Sequence, residues 1–229
     1  MYKLETHCHS NLVSRCSRLS PKELINIYKE NGYNGLIITE HFLNSESCKV
    51  VLENKFLPYE EQVERFYDGY LKIKEEAKGI LDVFFGFEYG YLGTDFLVYG
   101  WDKKDLLNYS KIMQMSVREF IEFVKDTGAL IVHAHPYREA NYIDHIRLFP
   151  GVEGVETYNS CRTDFCNALG EHYAKAYNKI CLAGSDIHYI EQKKLSGMMF
   201  EEKVKDIKHF ISLVRQGKGQ FIYKENGFK

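Results

Sequence analysis

The histidines His7 and His9, two residues apart near the start of the chain, are the first side chains that could do chemistry. They follow a segment, residues 1–6, that we predict to be a β-strand, and side chains two apart in a strand point to the same face. Two imidazoles that point to one place are a potential metal site. A His-x-His pair is a weak motif by itself, because single histidines are often structural, so the other ligand-type residues must decide.

Further segments have the composition of buried strands, and most of them end near a histidine or an acidic residue. We predict strands at residues 35–39, 81–87, 95–100, 129–132, 154–159 and from residue 180. Capping-box pairs predict helices that begin after Ser20 and Ser116, each with a glutamate three residues further on. Helical patterns also predict a long helix from about Glu60 and a last amphipathic helix over about 201–216.

Predicted strands and helices alternate along the chain, which is typical of a parallel sheet with crossover helices. About seven such strands favour a closed or partly closed barrel over an open sheet, and we predict a single domain over residues 1–229. In a barrel the carboxyl ends of the strands meet at one face, where active sites of this architecture lie. Ligand-type residues at successive strand ends are therefore expected to converge.

Five histidines and three acidic residues near strand ends form the candidate metal ligands: His7, His9, His41, Glu88, Asp95, His135, Asp186 and His188. One zinc ion takes about four ligands, so this many donors suits two or three metals bridged by carboxylates. Paired metals lower the pKa of a shared water and clamp the oxygens of a phosphoryl transfer, which makes hydrolysis the expected reaction. Five of these residues are expected to be catalytic: His7, His9, Glu88, Asp186 and His188.

Six short motifs occur in the order found in the PHP superfamily, which is named for polymerase and histidinol phosphatase. They are His7-Cys8-His9, Thr39-Glu40-His41, Gly86-Phe87-Glu88, Ala134-His135-Pro136-Tyr137-Arg138, Glu156-Thr157-Tyr158-Asn159 and Gly184-Ser185-Asp186-Ile187-His188. The sequence resembles a stand-alone member of this superfamily over nearly its whole length. The resemblance implies a distorted (β/α)7 barrel, an α/β fold, that holds two or three divalent metals (zinc, manganese or iron) and hydrolyses phosphate esters.

The resemblance also implies roles for single residues. Every candidate ligand except Asp95 falls on a ligand position of the superfamily, and Glu88 is expected to bridge two metals. Asp95 stands where many members have a histidine, and its carboxylate can still bind a metal through oxygen. His133 is not on a ligand position, so we expect it to pack beside the barrel or to support a ligand.

Two departures from the superfamily pattern concern the first two motifs. Glu40 replaces the usual aspartate before His41, and we expect it to support that ligand. Arg15 follows Ser14 where many members have an aspartate. The third metal position is therefore expected to lose a carboxylate.

The resemblance places Arg138 at a phosphate-binding position, and the guanidinium fork suits the geometry of a phosphate. The alternative for Arg138 is a surface ion pair with Glu139 or Asp144. Arg15 is a candidate second clamp at the same mouth, and Asn159 is expected to line the substrate pocket. No glycine-rich phosphate loop is present, so the sequence predicts a small phosphorylated substrate without identifying its leaving group.

The composition, 45% hydrophobic and 27% charged residues, is that of a soluble globular protein. Thirty basic and 32 acidic residues leave a formal charge of −2, which gives no surface for a long nucleic-acid duplex or an anionic membrane. No apolar run has the roughly 20 residues of a spanning helix, and no signal peptide precedes the first strand. We therefore expect a cytoplasmic protein with reduced cysteines and no membrane partner. Two of the cysteines, Cys8 and Cys16, lie near the proposed site.

Three functions are compatible with these residues. The leading interpretation is a metal-dependent phosphoesterase that acts on a small phosphomonoester. The second is an amidohydrolase-like hydrolase, since metal-activated water also attacks carbonyls, although Arg138 and the lack of a bridging lysine at a strand end argue against it. The third is a metal-binding scaffold without catalysis, against which the intact ligand set argues.

Overall fold

The structure, a computed structural model of the chain, describes residues 1–141, 143, 145–192 and 194–223. Within these residues it shows a mixed α/β fold built on a nine-stranded sheet that curves into a nearly closed barrel. The strands are β1 (Tyr2–Cys8), β2 (Gly35–Ile38), β3 (Asp82–Tyr91), β4 (Thr94–Tyr99), β5 (Leu130–Ala134), β6 (Gly154–Asn159), β7 (Ile180–Gly184), β8 (Met198–Phe200) and β9 (Gln220–Phe221). The helices are α1 (Pro21–Glu30), α2 (Lys49–Glu53), α3 (Tyr59–Glu76), α4 (Lys103–Asn108), α5 (Val117–Asp126), α6 (Asp164–Ala176) and α7 (Ile207–Arg215), with a 3-10 turn at Ser110–Gln114.

The barrel wall consists of β1 to β7 in chain order, and β8 and β9 extend the sheet beyond β1. β1, β2 and β3 are parallel neighbours, as are β5, β6 and β7. β4 runs antiparallel to both β3 and β5, because a tight turn at Leu92 and Gly93 joins it to β3 in place of a helix. The predicted distorted seven-stranded barrel is confirmed, and this hairpin is its distortion.

Hydrogen bonds between β1 and β7 close the barrel at the carboxyl ends of these two strands, which we call its upper end. The Thr6 hydroxyl donates to the Ala183 carbonyl at 2.7 Å, and the Asp186 amide donates to the His7 carbonyl at 2.7 Å. The first residues of β1 pair instead with β8, in antiparallel register. The ring of strands is therefore joined where β1 and β7 carry their candidate ligands.

Local sequence signals explain where the helices begin. The capping boxes at Ser20 and Ser116 are present, each with the side chains of serine and glutamate bonded to the other's backbone. The last helix begins at Ile207, not near Glu201 as predicted, because the Asp206 side chain accepts the hydrogen bond that caps it. The predicted start of that helix was wrong by about two turns.

An apolar layer fills the lower part of the barrel, at the end opposite the candidate site. Side chains alternate along each strand, so that Leu4, Ile37 and Leu97 belong to a buried cluster distinct from the one beneath the outer helices. Helix α7 closes this end with Phe210, whose ring lies 5.4 Å from the ring of Tyr99. No helix in the described part of the chain is long and apolar enough to cross a membrane.

Candidate metal centre

The predicted ligands lie together at the upper end of the barrel, seven of them buried and His188 half-buried. Their ligand atoms form four overlapping groups, and within each group all the atoms lie within 4.8 Å of one another. The groups are His9, His41 and His188; His7, His135 and Asp186; His7, His9 and Glu88; and Glu88, Asp95 and His135. The expected convergence is observed, and the binding of metals by these residues stays a prediction.

Glu88, on β3, lies at the centre of this cluster with its side chain buried. Its two oxygens lie 3.4 Å from Nε2 of His7 and of His9, 2.8 Å from Nδ1 of His41 and 3.3 Å from Nε2 of His135. Burial would raise the pKa of Glu88, but the charges of His41 and His7 outweigh it and hold this pKa well below its usual range. A charged carboxylate that faces four imidazoles has the donor arrangement needed to bridge metals.

Glu156, on β6, orients two of the histidines. One oxygen of Glu156 lies 2.8 Å from Nδ1 of His7. The other oxygen accepts hydrogen bonds from the backbone amide of His135 at 3.0 Å and from the side-chain amide of Asn159 at 2.9 Å. Nε2 of His7 is thereby left facing the cluster, 3.2 Å from Nε2 of His9. Such a carboxylate fixes the ring orientation and the tautomer of a metal-binding histidine. Glu156 lies in one of the six motifs, but this role was not predicted from the sequence.

Ser14 connects Glu40 to two candidate ligands. Its hydroxyl lies 3.3 Å from Nδ1 of His9. The same hydroxyl accepts a hydrogen bond from the backbone amide of His41 at 3.1 Å and donates one to Glu40 at 2.5 Å. Glu40 is itself buried and also accepts the backbone amide of Ser10 at 2.9 Å. Glu40 therefore acts on His9 and His41 through Ser14, an indirect form of the support expected from the sequence.

Two candidate ligands have a backbone conformation that side chains other than glycine rarely adopt. The φ angles of His135 and Asp186 are 27° and 53°, both in or near the left-handed region. Each such residue costs about 1 kcal/mol or more, which the surrounding hydrogen bonds must offset. For Asp186 these include the bond from its own amide to the His7 carbonyl. The strain is located where the side chains must point into the cluster.

Arg138 lies beside one of the candidate ligands, Asp95. Its Nη1 lies 2.9 Å from an Asp95 oxygen, and its Nη2 donates to the Gly93 carbonyl at 3.0 Å. Burial, reinforced by Glu88, raises the pKa of Asp95, and Arg138 opposes this rise. The alternative partner Asp144 lies outside the described residues. A contact of Arg138 with phosphate stays a prediction. The Arg138 side chain contacts the cluster through Asp95.

Arg162 is a second cation at the cluster, and it was not among the residues predicted from the sequence. Its Nη2 donates to an Asp186 oxygen at 2.8 Å, and its side chain is 22% exposed. It follows β6 in the loop that leads to α6, three residues after Asn159. An arginine just beyond a strand end was the available signal, although nothing in the sequence pairs it with Asp186.

The other two predicted substrate contacts lie in different surroundings. Asn159 is fully buried, and its side-chain amide donates to Glu156 at 2.9 Å and to Asp186 at 3.3 Å. It therefore orients Glu156 and the candidate ligand Asp186, and a contact with substrate stays a prediction. The Arg15 side chain is exposed and has no hydrogen bond or ion pair within the described residues. Its role as a second clamp likewise stays a prediction.

His133 packs against the outer face of the barrel, one of the two positions expected for it. Its ring lies 5.4 Å from the ring of Phe96, 5.7 Å from that of Phe149 and 5.9 Å from that of Tyr173. Neither ring nitrogen has a hydrogen-bond partner among the described residues. Burial, followed by the nearby charge of His135, lowers the pKa of His133 to about 3.

Solved structures share this arrangement of strands and helices. The chain matches a two-domain protein from Bacteroides vulgatus that contains a predicted PHP-like metal-dependent phosphoesterase, with a TM-score of 0.68 and 13% identity over 97% of this chain and 64% of that one. The fold is that of PHP-like proteins. This chain thus spans less than two thirds of the Bacteroides protein, and no family model or curated protein matches its sequence.

Two further solved structures share this fold and are close to this chain in length. A protein described as a putative metal-dependent phosphoesterase from Bifidobacterium adolescentis matches with a TM-score of 0.57 and 12% identity, over 94% of this chain and 96% of that one. PsfC from Pseudomonas syringae matches with a TM-score of 0.61 and 16% identity, over 97% and 91%. At these identities the similarity establishes the fold, so the activity must be argued from the site.

Proposed function

We propose that this chain is a metal-dependent phosphoesterase that hydrolyses a small phosphomonoester. The observation that carries the proposal is the buried cluster around Glu88, in which four imidazoles face one carboxylate. A buried carboxylate needs compensating positive charge, and neither oxygen of Glu88 has a well-formed hydrogen bond among the described residues. Divalent cations would supply that compensation, so the donors fit metals.

The eight clustered side chains would hold two or three divalent metals, with zinc, manganese and iron as the candidates. Their donors are imidazole nitrogens and carboxylate oxygens, which suit all three of these ions. When bound, such metals supply Lewis-acid chemistry, activating water and stabilising charge on a phosphate. Glu156 and Ser14 would keep His7 and His9 pointing into the centre, because each holds the Nδ1 side of its ring.

The two arginines support a phosphate ester as the substrate. Arg138 and Arg162 are each partly exposed and each contact a carboxylate of the cluster, Asp95 and Asp186 respectively. Guanidinium groups at the rim would bind the non-bridging oxygens of a phosphate and would orient it against the cluster. A negatively charged substrate is thus attracted locally, although the whole chain carries a formal charge of −2.

The test is hydrolysis of a panel of phosphomonoesters, phosphodiesters and amides by the metal-reconstituted protein. We expect turnover of phosphomonoesters, reduced more than a hundredfold by Glu88→Gln or His188→Ala, since each change removes a donor from the cluster. Glu76→Gln, at an exposed position of α3, is the matched control and should retain full activity. Full activity in both cluster variants, or turnover of amides alone, would contradict the proposal.

A further inference from the structure

Glu5, on β1, is a buried carboxylate outside the cluster described above. The residue is fully buried, and it belongs to none of the four groups of candidate ligand atoms. Five donor groups nevertheless point to its two oxygens. Burying a carboxylate is costly even when donors compensate it, so this position calls for a reason beyond stability.

One oxygen of Glu5 holds the backbones of β1 and β7 where these strands carry candidate ligands. Oε1 accepts hydrogen bonds from the backbone amides of Thr6 at 2.9 Å and His7 at 2.7 Å. It also accepts the amide of Ser185, the residue before Asp186, at 2.9 Å. Since the Asp186 amide donates to the His7 carbonyl, these bonds close a ring that fixes one candidate ligand against the other.

The part of β1 that Glu5 holds is a β-bulge. Three steps along β1, from Glu5 to Cys8, face two steps along β2. A bulge leaves its extra residue outside the ladder and re-aims a side chain, as is common next to active sites. The amides of Thr6 and His7 lie inside this bulge, and both donate to Glu5. Removing that acceptor would take from these buried amides the partner that holds the bulge in shape.

The second oxygen of Glu5 faces hydroxyl groups instead of amides. Oε2 accepts from the Tyr28 hydroxyl of α1 at 2.6 Å and from the Ser185 hydroxyl. A hydroxyl can turn to accept a hydrogen bond, whereas a backbone amide can only donate. An oxygen is therefore required at the place of Oε1, while the place of Oε2 can also take a donor.

We propose that Glu5 is a positioning residue for the metal centre, which holds the backbones of His7 and Asp186 so that both side chains face the same ions. Nε2 of His7 and Oδ1 of Asp186 lie 3.6 Å apart. The role requires an acceptor oxygen at the reach of Glu5, and it does not require the negative charge. This inference rests on the metal dependence in the proposed function and adds to it a residue that acts on the ligands without touching the ions.

Two variants separate the reach of the side chain from its charge. Glu5→Gln keeps the length, and its carbonyl oxygen can face the three amides while its nitrogen faces the two hydroxyls. Glu5→Asp keeps the charge but is one methylene shorter, so its oxygens are withdrawn from the amides. Zinc affinity is measured on the folded full chain by competition with a chelator. We expect it to stay close to that of the unaltered protein in Glu5→Gln and to fall about ten- to a hundredfold in Glu5→Asp.

Phe210→Ala is the control for loss of stability. Phe210 is buried at the opposite end of the barrel, so its removal should destabilise the fold and leave the zinc affinity unchanged. An unchanged affinity in Glu5→Asp, or a larger loss in Glu5→Gln than in Glu5→Asp, would overturn the positioning role and leave the proposed function intact. The expected order of affinities without phosphoesterase turnover would support the role of Glu5 and count against the proposed function. Absence of zinc binding by the unaltered protein would overturn both.

Amide hydrogen exchange in the metal-free, unaltered protein gives a test that does not depend on how the variants fold. The amides of Thr6, His7 and Ser185 should exchange as slowly as the central amides of β2, because Glu5 accepts all three without any ion. Fast exchange of these three amides beside a protected β2 would overturn the role of Glu5.

Discussion

Two arginine side chains contact carboxylates of the cluster from different strand ends. Arg138 approaches Asp95 from the segment after β5, and Arg162 approaches Asp186 from the segment after β6. Both carboxylates also lie near histidines, so each could bind a metal while its arginine turns to a phosphate. We therefore expect both arginines to contribute to substrate binding and to the reaction.

We predict that Arg138→Ala and Arg162→Ala each raise KM and lower kcat for a phosphomonoester. A charge-assisted phosphate contact is worth about 2 to 4 kcal/mol, or roughly thirty- to a thousandfold in kcat/KM. Lysine at either position should recover only part of the loss, because a point charge does not reproduce the guanidinium fork. Steady-state kinetics, with metal content measured alongside, is the readout.

The control for this pair is Arg118→Ala, an exposed position of α5 that should leave the kinetics unchanged. Unaltered kinetics in Arg138→Ala or Arg162→Ala would remove that arginine from the substrate site. A loss of activity that follows a loss of metal would show instead that the arginine serves its carboxylate.

His133 gives a test of stability against pH. Its pKa of about 3 in the folded chain lies below the ordinary histidine value of 6.5. Below pH 6.5 His133 is protonated in the unfolded chain but stays neutral in the folded chain. The free energy of unfolding therefore decreases as the pH falls towards 3. We predict that His133→Phe is more stable than the unaltered protein by about 1 kcal/mol at pH 7, since phenylalanine buries no unpaired nitrogen. At pH 5 the difference should be about 2 kcal/mol larger than at pH 7, because the variant lacks the group with the lowered pKa.

Denaturant unfolding at several pH values measures this difference. His172→Phe, at an exposed position of α6, is the comparison variant and should not show the growing gain at low pH. A constant difference between His133→Phe and the unaltered protein across this range would mean that His133 is protonated in the folded chain.

Single residues show how far the sequence could predict the site. The candidate ligands were identifiable because histidines and acidic residues stand at strand ends, whose convergence follows from barrel geometry. The partners that orient them were not identifiable, since Glu156 meets His7 across 149 positions of sequence. Arg162 was likewise not identifiable, because its contact with Asp186 depends on how a loop folds over the end of the barrel.

At the scale of elements, long periodic segments were predictable and short ones were not. The strands of the barrel wall carry apolar runs that burial on both faces demands. β8 and β9 have three and two residues, too few for any pattern, and they form only by pairing with neighbours. The start of α7 was misplaced for a similar reason, since one capping side chain, Asp206, decides it.

Helix α7 gives a prediction at this scale. Phe210 is fully buried where the helix closes the lower end of the barrel, so Phe210→Ala should reduce the free energy of unfolding by about 3 to 5 kcal/mol. Phe56→Ala is the matched control, because that ring is 96% exposed and its loss should change stability by less than about 0.5 kcal/mol. Denaturant unfolding compares the two variants, and equal stabilities would show that α7 is not part of the cooperative core.

At the scale of the whole molecule, the barrel separates two environments. The lower end is apolar and closed by α7, while the upper end gathers buried histidines and carboxylates from six strand ends. The cost of burying so many ionisable groups is difficult to explain by stability, because hydrophobic residues of similar volume would pack at lower cost. Metal binding gives a reason for that cost.

Metal binding is tested by the metal content of the purified protein, measured by mass spectrometry after reconstitution with zinc, manganese or iron. We predict at least two divalent ions per chain in the unaltered protein, and a lower content in Glu88→Gln, since Glu88 faces four of the histidines. Fewer than one ion per chain after reconstitution with each metal would contradict it.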